Sequence, residues 1–152
     1  MNALVVYDSV YGNTEQIARA IGAVLAGHGP IEVRPVAQAE AIPPGTDLLV
    51  VGGPTHAHGM DKPMKAYLDR LPDAVVSGMA VAAFDTRLGW PVVLSGSAAR
   101  GIAKQLGRKG GRLLVEPGSF IVAGGEGPLA EGELARATSW AENLACVADR
   151  DA

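Results

Sequence analysis

The sequence predicts a doubly wound α/β fold, a three-layer sandwich in which a five-stranded parallel sheet carries helices on both faces. Three observations point to it. Short runs rich in Val, Ile and Leu recur along the chain, stretches with a helical spacing of apolar residues separate them, and capping or stop residues stand at the junctions. Strands that alternate strictly with helices pair in parallel, because the helices supply the right-handed crossovers that parallel neighbours require.

The first strand reads Ala3–Tyr7. Asn13 or Thr14 then caps a helix whose inward face is Ile17, Ile21, Val24 and Leu25, at i, i+4, i+7 and i+8. A second strand covers Ile31–Val36, and Ala41-Ile42-Pro43-Pro44-Gly45 makes a surface turn before the third, Leu48–Val51. Asp61 with Pro63 opens a second helix, with Met64, Tyr67, Leu68 and Leu71 along one side. The fourth strand reads Met79–Phe84. Ser95 or Ser97 starts a third helix built on Ala99, Ile102, Ala103 and Leu106, and Gly110-Gly111 stops it. The last strand begins at Leu113–Val115 and continues into Phe120–Val122; a final helix, capped near Glu131, turns Leu134, Ala137, Ala141, Leu144 and Ala145 inward.

A chain of 152 residues is expected to form one domain, here 1–148, with 149–152 frayed. Its 48% hydrophobic and 19% charged content is that of a packed globule. No apolar run approaches the ~18 residues that span a bilayer, and the start lacks a basic region, so no membrane partner and a cytoplasmic location are expected. A net charge of −3 lacks the basic footprint of a nucleic-acid binder. The single cysteine, Cys146, has no internal disulfide partner and reads as packing in the last helix. The basic run Arg100, Lys104, Arg108, Lys109 and Arg112 reads as a solvated face.

In such a sheet ligands bind beyond the carboxyl ends of the strands, where the strand order reverses. Four loops lie there: 8–14, 52–59, 85–90 and 124–128. The first joins a buried strand to a helix through Ser9-Val10-Tyr11-Gly12-Asn13-Thr14, small and hydroxyl-bearing residues whose amides can converge on an anion at the helix N-terminus. Taken alone, Asn13-Thr14 reads first as a helix cap; between this strand and this helix, a phosphate site is favoured. No Gly-x-x-x-x-Gly-Lys-Ser/Thr is present, and no Gly-x-Gly-x-x-Gly follows the first strand. The late cluster Gly124-Gly125-Glu126-Gly127 does not fit either pattern, and no cysteine stands where a phosphatase loop needs its nucleophile.

Tyr7-Asp8-Ser9-Val10-Tyr11-Gly12-Asn13-Thr14-Glu15 resembles the phosphate loop of the flavodoxin superfamily, whose core is Ser/Thr-x-Thr-Gly-Asn-Thr. Tyr11 at the middle hydroxyl position is more similar to the flavodoxin domains of flavodiiron proteins and to flavodoxin-like quinone reductases. The resemblance implies strand order 2-1-3-4-5 and flavin mononucleotide (FMN) as cofactor. Gly52-Gly53-Pro54-Thr55-His56-Ala57-His58-Gly59-Met60 resembles the family segment along one edge of the flavin ring, with His56 in place of a stacking tryptophan. Pro54, Thr55, His56, Ala57, His58 and Gly59 are therefore implied cofactor contacts. In the third loop, Asp85 and Thr86 match the stretch beside the pyrimidine end, Arg87 lies at the rim, and Trp90 is the candidate for the second ring face. The pair His56 and His58 has no third ligand at sensible spacing, so no metal is expected.

The resemblance implies electron transfer, with a redox partner protein or a small-molecule electron acceptor, in a monomer or weak homodimer. A carrier is favoured over an enzyme, and no catalytic residue is assigned. An FMN-dependent NAD(P)H:quinone-type reductase and an interaction module that has lost flavin are the alternatives. A response-regulator receiver is disfavoured, because only Asp8 of its acidic set is present and Gly53-Pro54-Thr55 stands where its phosphorylated aspartate belongs. The cationic rim of His56, His58 and Arg87 points to a reduction potential less negative than that of an acidic flavodoxin.

Overall fold

Runs of β-branched and small apolar residues assemble into one sheet in the computed structural model, which describes residues 1–56 and 59–151. β1 (Ala3–Tyr7) is buried along its whole length and pairs in parallel with β2 (Ile31–Pro35) and with β3 (Leu48–His56). A two-residue β4 (Gly59–Met60) folds back antiparallel on the end of β3. β5 (Ala80–Leu88) continues the parallel sheet beside β3. The last place is shared by β6 (Arg112–Leu113) and β7 (Gly118–Val122), both parallel to β5. The order β2-β1-β3-β5-β6 is the expected 2-1-3-4-5, once β4 is set aside and β6 and β7 are counted as one interrupted strand.

Alternate residues of each strand face opposite sides of a sheet, so each strand supplies two cores. Ala3, Val5 and Tyr7 of β1 face α1 (Asn13–Leu25) and α6 (Glu133–Asp151), packing on Ile17, Ile21, Ala137, Ala141 and Leu144. Leu4 and Val6 face the other way. They meet α2 (Lys62–Arg70) and α5 (Ala98–Arg108) through Met64, Tyr67, Leu68, Ile102 and Leu106. Each fully buried Leu or Ile here contributes roughly 1.5–3 kcal/mol relative to an exposed one.

The apolar runs mark where strands begin better than where they end. β3 continues past Val51 to His56 and β5 past Phe84 to Leu88, so Asp85, Thr86 and Arg87 lie in a strand and not in a loop. Ladder pairing of Gly52–Pro54 with Phe84–Thr86 carries both strands onward through polar residues. β2 ends at Pro35, and Val36–Gln38 form a 3-10 turn. Two single-turn helices, α3 (Asp73–Val76) and α4 (Val92–Ser95), lack the length to show a periodicity.

Two expected inward residues face solvent instead: Leu134 and Cys146 are exposed. Leu134 lies in the first turn of α6, and the inward stripe of that helix begins at Ala137. The helix runs to Asp151, with His28 bonded to Asp149 and Arg112 to Asp151 near its end. No described helix is long and apolar enough to cross a membrane.

Candidate functional site

Strand order reverses between β1 and β3, and a cleft of about 110 Å3 opens there beyond their carboxyl ends. Its floor and walls come from every strand that reaches this end: Ser9, Val10, Tyr11, Asn13 and Thr14 after β1; Pro54, Thr55 and His56 of β3; Thr86, Arg87 and Leu88 of β5; Val122 at the end of β7, with Gly125 beyond it. A larger hollow of about 500 Å3 lies at the opposite end of the sheet around Asp47, Ser77, Arg112 and Asp151. Its Arg112 is already bound to Asp151 and to the Gly78 carbonyl.

The loop after β1 differs from a simple Asn or Thr cap. Gly12 is the N-cap residue, at φ +89°, a left-handed conformation that costs other residues about 1–2 kcal/mol. Asn13 and Thr14 are the first helical residues, and no side chain caps through Gly12. Ser9 does the work of a cap from three residues earlier: its Oγ accepts from the Gly12 amide at 3.1 Å and from the Glu15 amide at 3.3 Å. A helix start leaves four amides without intrahelical acceptors. Ser9 takes the first and fourth, and among the described residues the amides of Asn13 and Thr14 meet no acceptor.

The side chains of those two residues tie the loop to the far wall. Asn13 Nδ2 donates to the Glu126 carbonyl at 3.1 Å, and Thr14 Oγ1 lies 2.8 Å from Thr86 Oγ1. Gly127 makes the first contact sterically feasible: a Cβ there would stand 2.6 Å from Asn13 Oδ1. Leu88, Val122 and Gly125 also line the cleft; the sequence places 85–90 and 124–128 at this end of the sheet but assigns none of these three a contact. The signal for Gly125 is a glycine cluster placed directly after the last strand.

Asp85 is fully buried and does not line the cleft. Its Oδ2 accepts from Ser97 Oγ at 2.6 Å, from the Ala99 amide at 3.0 Å and from Thr55 Oγ1 at 3.2 Å, while Oδ1 accepts from Ser119 Oγ at 2.6 Å. One carboxylate therefore joins β3, β5, β7 and the start of α5. Thr55 in turn accepts from the Ala98 amide at 3.0 Å. Ser97 caps α5 by accepting from the Arg100 amide, as its sequence position suggests.

Around the opening, Val10, Tyr11 and Trp90 are more than half exposed, and Trp90 lies outside the cleft lining. Arg87 is fixed by donating to the Trp90 carbonyl at 2.7 Å and to the Leu88 carbonyl at 3.2 Å. His56 Nδ1 lies 2.5 Å from Asp61 Oδ1. Gly12 and Gly59 flank the cleft without lining it, and Ala57 and His58 lie outside the described residues. Among the described residues no three His, Cys, Asp or Glu side chains come together as a metal site.

Of the basic run on and after α5, Arg100, Lys104 and Arg108 are exposed, whereas two members are engaged. Lys109 Nζ donates to the Leu71 carbonyl and to Asp73, and Arg112 binds Gly78 and Asp151.

The profile of the family described as flavodoxin domain matches residues 4–113. No curated protein matches the chain. Among solved structures, a flavodoxin from the domain Archaea is 21% identical with a TM-score of 0.80, covering 98% of this chain and 99% of its own. A flavodoxin described as WrbA-like, from Agrobacterium tumefaciens, is 19% identical with a TM-score of 0.75 over 98% of each chain. A flavodiiron core from Synechocystis is 16% identical with a TM-score of 0.76, covering all of this chain and 37% of its own. At these identities the likeness is one of fold.

Proposed function

The chain belongs to the flavodoxin domain family, and we propose from this that it holds FMN at the β1–β3 cleft and passes electrons to a redox partner or small acceptor. The observation that carries the proposal is the pair of unpaired amides at Asn13 and Thr14. Two N–H groups at the positive end of a 13-residue helix form an anion site that needs no basic side chain. The donor set fits a phosphate, so the cofactor is consistent with the residues present.

Ser9 keeps the loop in that shape. Thr14, Thr86 and Asn13 close the inner wall, and Pro54, Thr55 and His56 form the side along which a planar ring would lie. A cleft of about 110 Å3 is below the ~300–1,000 Å3 of pockets that enclose a whole ligand. The phosphate end would be buried and the ring left at the opening, beside exposed Tyr11 and Trp90. FMN supplies one- and two-electron chemistry when bound. The protein's part is to hold it, shield one edge and set the charge around it. Asp85 serves as a positioning residue, holding Thr55 and the start of α5 in place.

A reductase acting on NAD(P)H and a quinone is the second reading. It is favoured by a cleft lined by His56 and Arg87 and by no Asp or Glu among the described residues, where a carrier for basic partners would present acidic groups. Purified protein mixed with FMN and freed of excess should retain flavin absorbance with altered fluorescence, and Ser9→Ala should retain less. Failure of the wild type to retain flavin rejects the proposal. Turnover of NADH or NADPH with a quinone separates the reductase from the carrier.

A further inference from the structure

Asp8 follows β1 directly and is 9% exposed, with its Oδ2 covered and without a donor among the described residues. An ionised carboxylate in that position loses hydration with only the Ser9 backbone amide to compensate it. A protonated one avoids the loss if an acceptor stands beside it. Asp61 is the neighbour suited to be that acceptor, because it raises the Asp8 carboxyl both as a like charge and as a hydrogen-bond partner. Burial, and after it the Asp61 charge, hold the Asp8 carboxyl above its ordinary range, with His56 opposing more weakly.

Asp61 is connected to the cleft through His56. Its Oδ1 lies 2.5 Å from His56 Nδ1, its side chain is 16% exposed, and His56 lines the cleft with 43% of its side chain open to solvent. Three elements therefore meet here: Asp8 from the end of β1, His56 from β3 and Asp61 at the start of α2, with exposed Lys62 next to it. Asp61 is the N-cap residue of α2 yet makes no side-chain cap, so its carboxylate is committed to its two neighbours.

We propose that Asp8, Asp61 and His56 form one hydrogen-bonded triad that readies His56 to give a proton at the mouth of the cleft: neutral Asp8 donates to Asp61, Asp61 accepts from His56 Nδ1, and His56 Nε2 exchanges a proton with the bound ligand. In the transfer the Nε2–H bond breaks and the proton bonds to an acceptor atom in the cleft. His56 keeps its Nδ1–H on Asp61, Asp8 keeps its O–H, and solvent at the open edge returns the proton to Nε2. The unit passes from neutral to singly negative as it gives that proton. It therefore serves a ligand that gains negative charge, as a redox cofactor does on accepting electrons. Only the nature of the ligand rests on the flavin reading. Asp8 and Asp61 act as positioning residues through His56.

The test begins with the ligand-free protein and 15N NMR of the His56 ring. Neutral His56 should carry its proton on Nδ1, because Asp61 fixes the tautomer. Asp61→Ala, which removes no helix cap, should lose that tautomer and return the Asp8 carboxyl signal toward its ordinary titration range. Asp8→Asn supplies a permanent amide donor to Asp61 and should leave the tautomer as it was. A proton on Nε2 in the wild type, an unchanged tautomer in Asp61→Ala, or an Asp8 carboxyl that titrates like an exposed aspartate would each overturn the triad. With FMN bound, the pH dependence of the reduction potential should change in Asp61→Ala; no change overturns the role of the triad at the ligand. Loss of flavin from the wild type rejects the functional reading instead, and the ring tautomer then decides the triad by itself.

Discussion

Replacing Asp85 by alanine removes the one acceptor shared by four donors. Of these, the Ala99 amide is buried and fixed by the first turn of α5, and leaving it unpaired costs about 1–3 kcal/mol. The hydroxyls of Ser97, Thr55 and Ser119 are only partly buried and can rotate to other acceptors, so each loses closer to the ~1 kcal/mol of an ordinary hydrogen bond. The expected total is roughly 4–5 kcal/mol, a large share of the ~5–15 kcal/mol that stabilises a domain. At about 2–4 °C per kcal/mol for a domain of this size, the melting temperature should fall by ~10–15 °C. Asp85→Asn is the informative companion. Its amide oxygen can take over from Oδ2, and its NH2 can face Ser119, whose hydroxyl turns to accept; the loss should be about 1–2 kcal/mol. Urea unfolding of the flavin-free protein at neutral pH measures both, provided that the slope is unchanged. A loss below about 1 kcal/mol for Asp85→Ala, or equal losses for the two variants, would show that Asp85 does not organise this end of the sheet.

Ser9→Ala frees the Gly12 and Glu15 amides and should cost about 1 kcal/mol in stability, with FMN binding weakened about tenfold in a fluorescence titration. Arg87→Ala removes a cation from the cleft wall: a unit charge about 7 Å from the ring at an effective dielectric of ~20 is worth roughly 2 kcal/mol, or ~100 mV per electron, and solvent at this half-buried site reduces it. The reduction potential should become more negative by ~50 mV, and an unchanged potential refutes the assignment. Glu133 accepts from Arg136 and, at 2.6 Å, from the Ile121 amide, which together hold its carboxyl below the ordinary value of 4.5 against the opposing effect of burial. Its stabilising contribution is complete above that value and lost as the pH falls through the lower folded one, so Glu133→Gln should destabilise at pH 7 and converge with the wild type in acid melts. Burial pushes the Tyr67 phenol up to about 12; an absorbance titration should show a late ionisation that Tyr67→Phe abolishes.

Much of the fold is written in local patterns. Strand starts, helix faces and the Ser97 cap can be read directly because each depends on residues a few positions apart. Strand ends cannot, since β3 and β5 extend through Gly52–His56 and Asp85–Leu88 only because they pair with one another. The same holds at the site. Ser9, Asn13 and Thr14 announce an anion loop, but which amides stay free depends on a hydroxyl that reaches forward from Ser9. Asp85 reads as a ligand residue from its position and is buried by four donors drawn from distant segments. Gly125 and Val122 reach the cleft through the return of β7 alongside β5, which composition alone does not encode.

The interruption between β6 and β7 also bears on what the sheet can do to its neighbours. An open row of strand amides and carbonyls is a template for pairing with another chain, and the hazard grows with the length of the row. Here one border consists of a two-residue and a five-residue piece parted by the turn at 114–117, and the other is the five-residue β2, closed by Pro35, which has no amide to offer. Neither border presents a long, regular ladder, so the broken last strand that shapes the cleft also limits edge-to-edge aggregation.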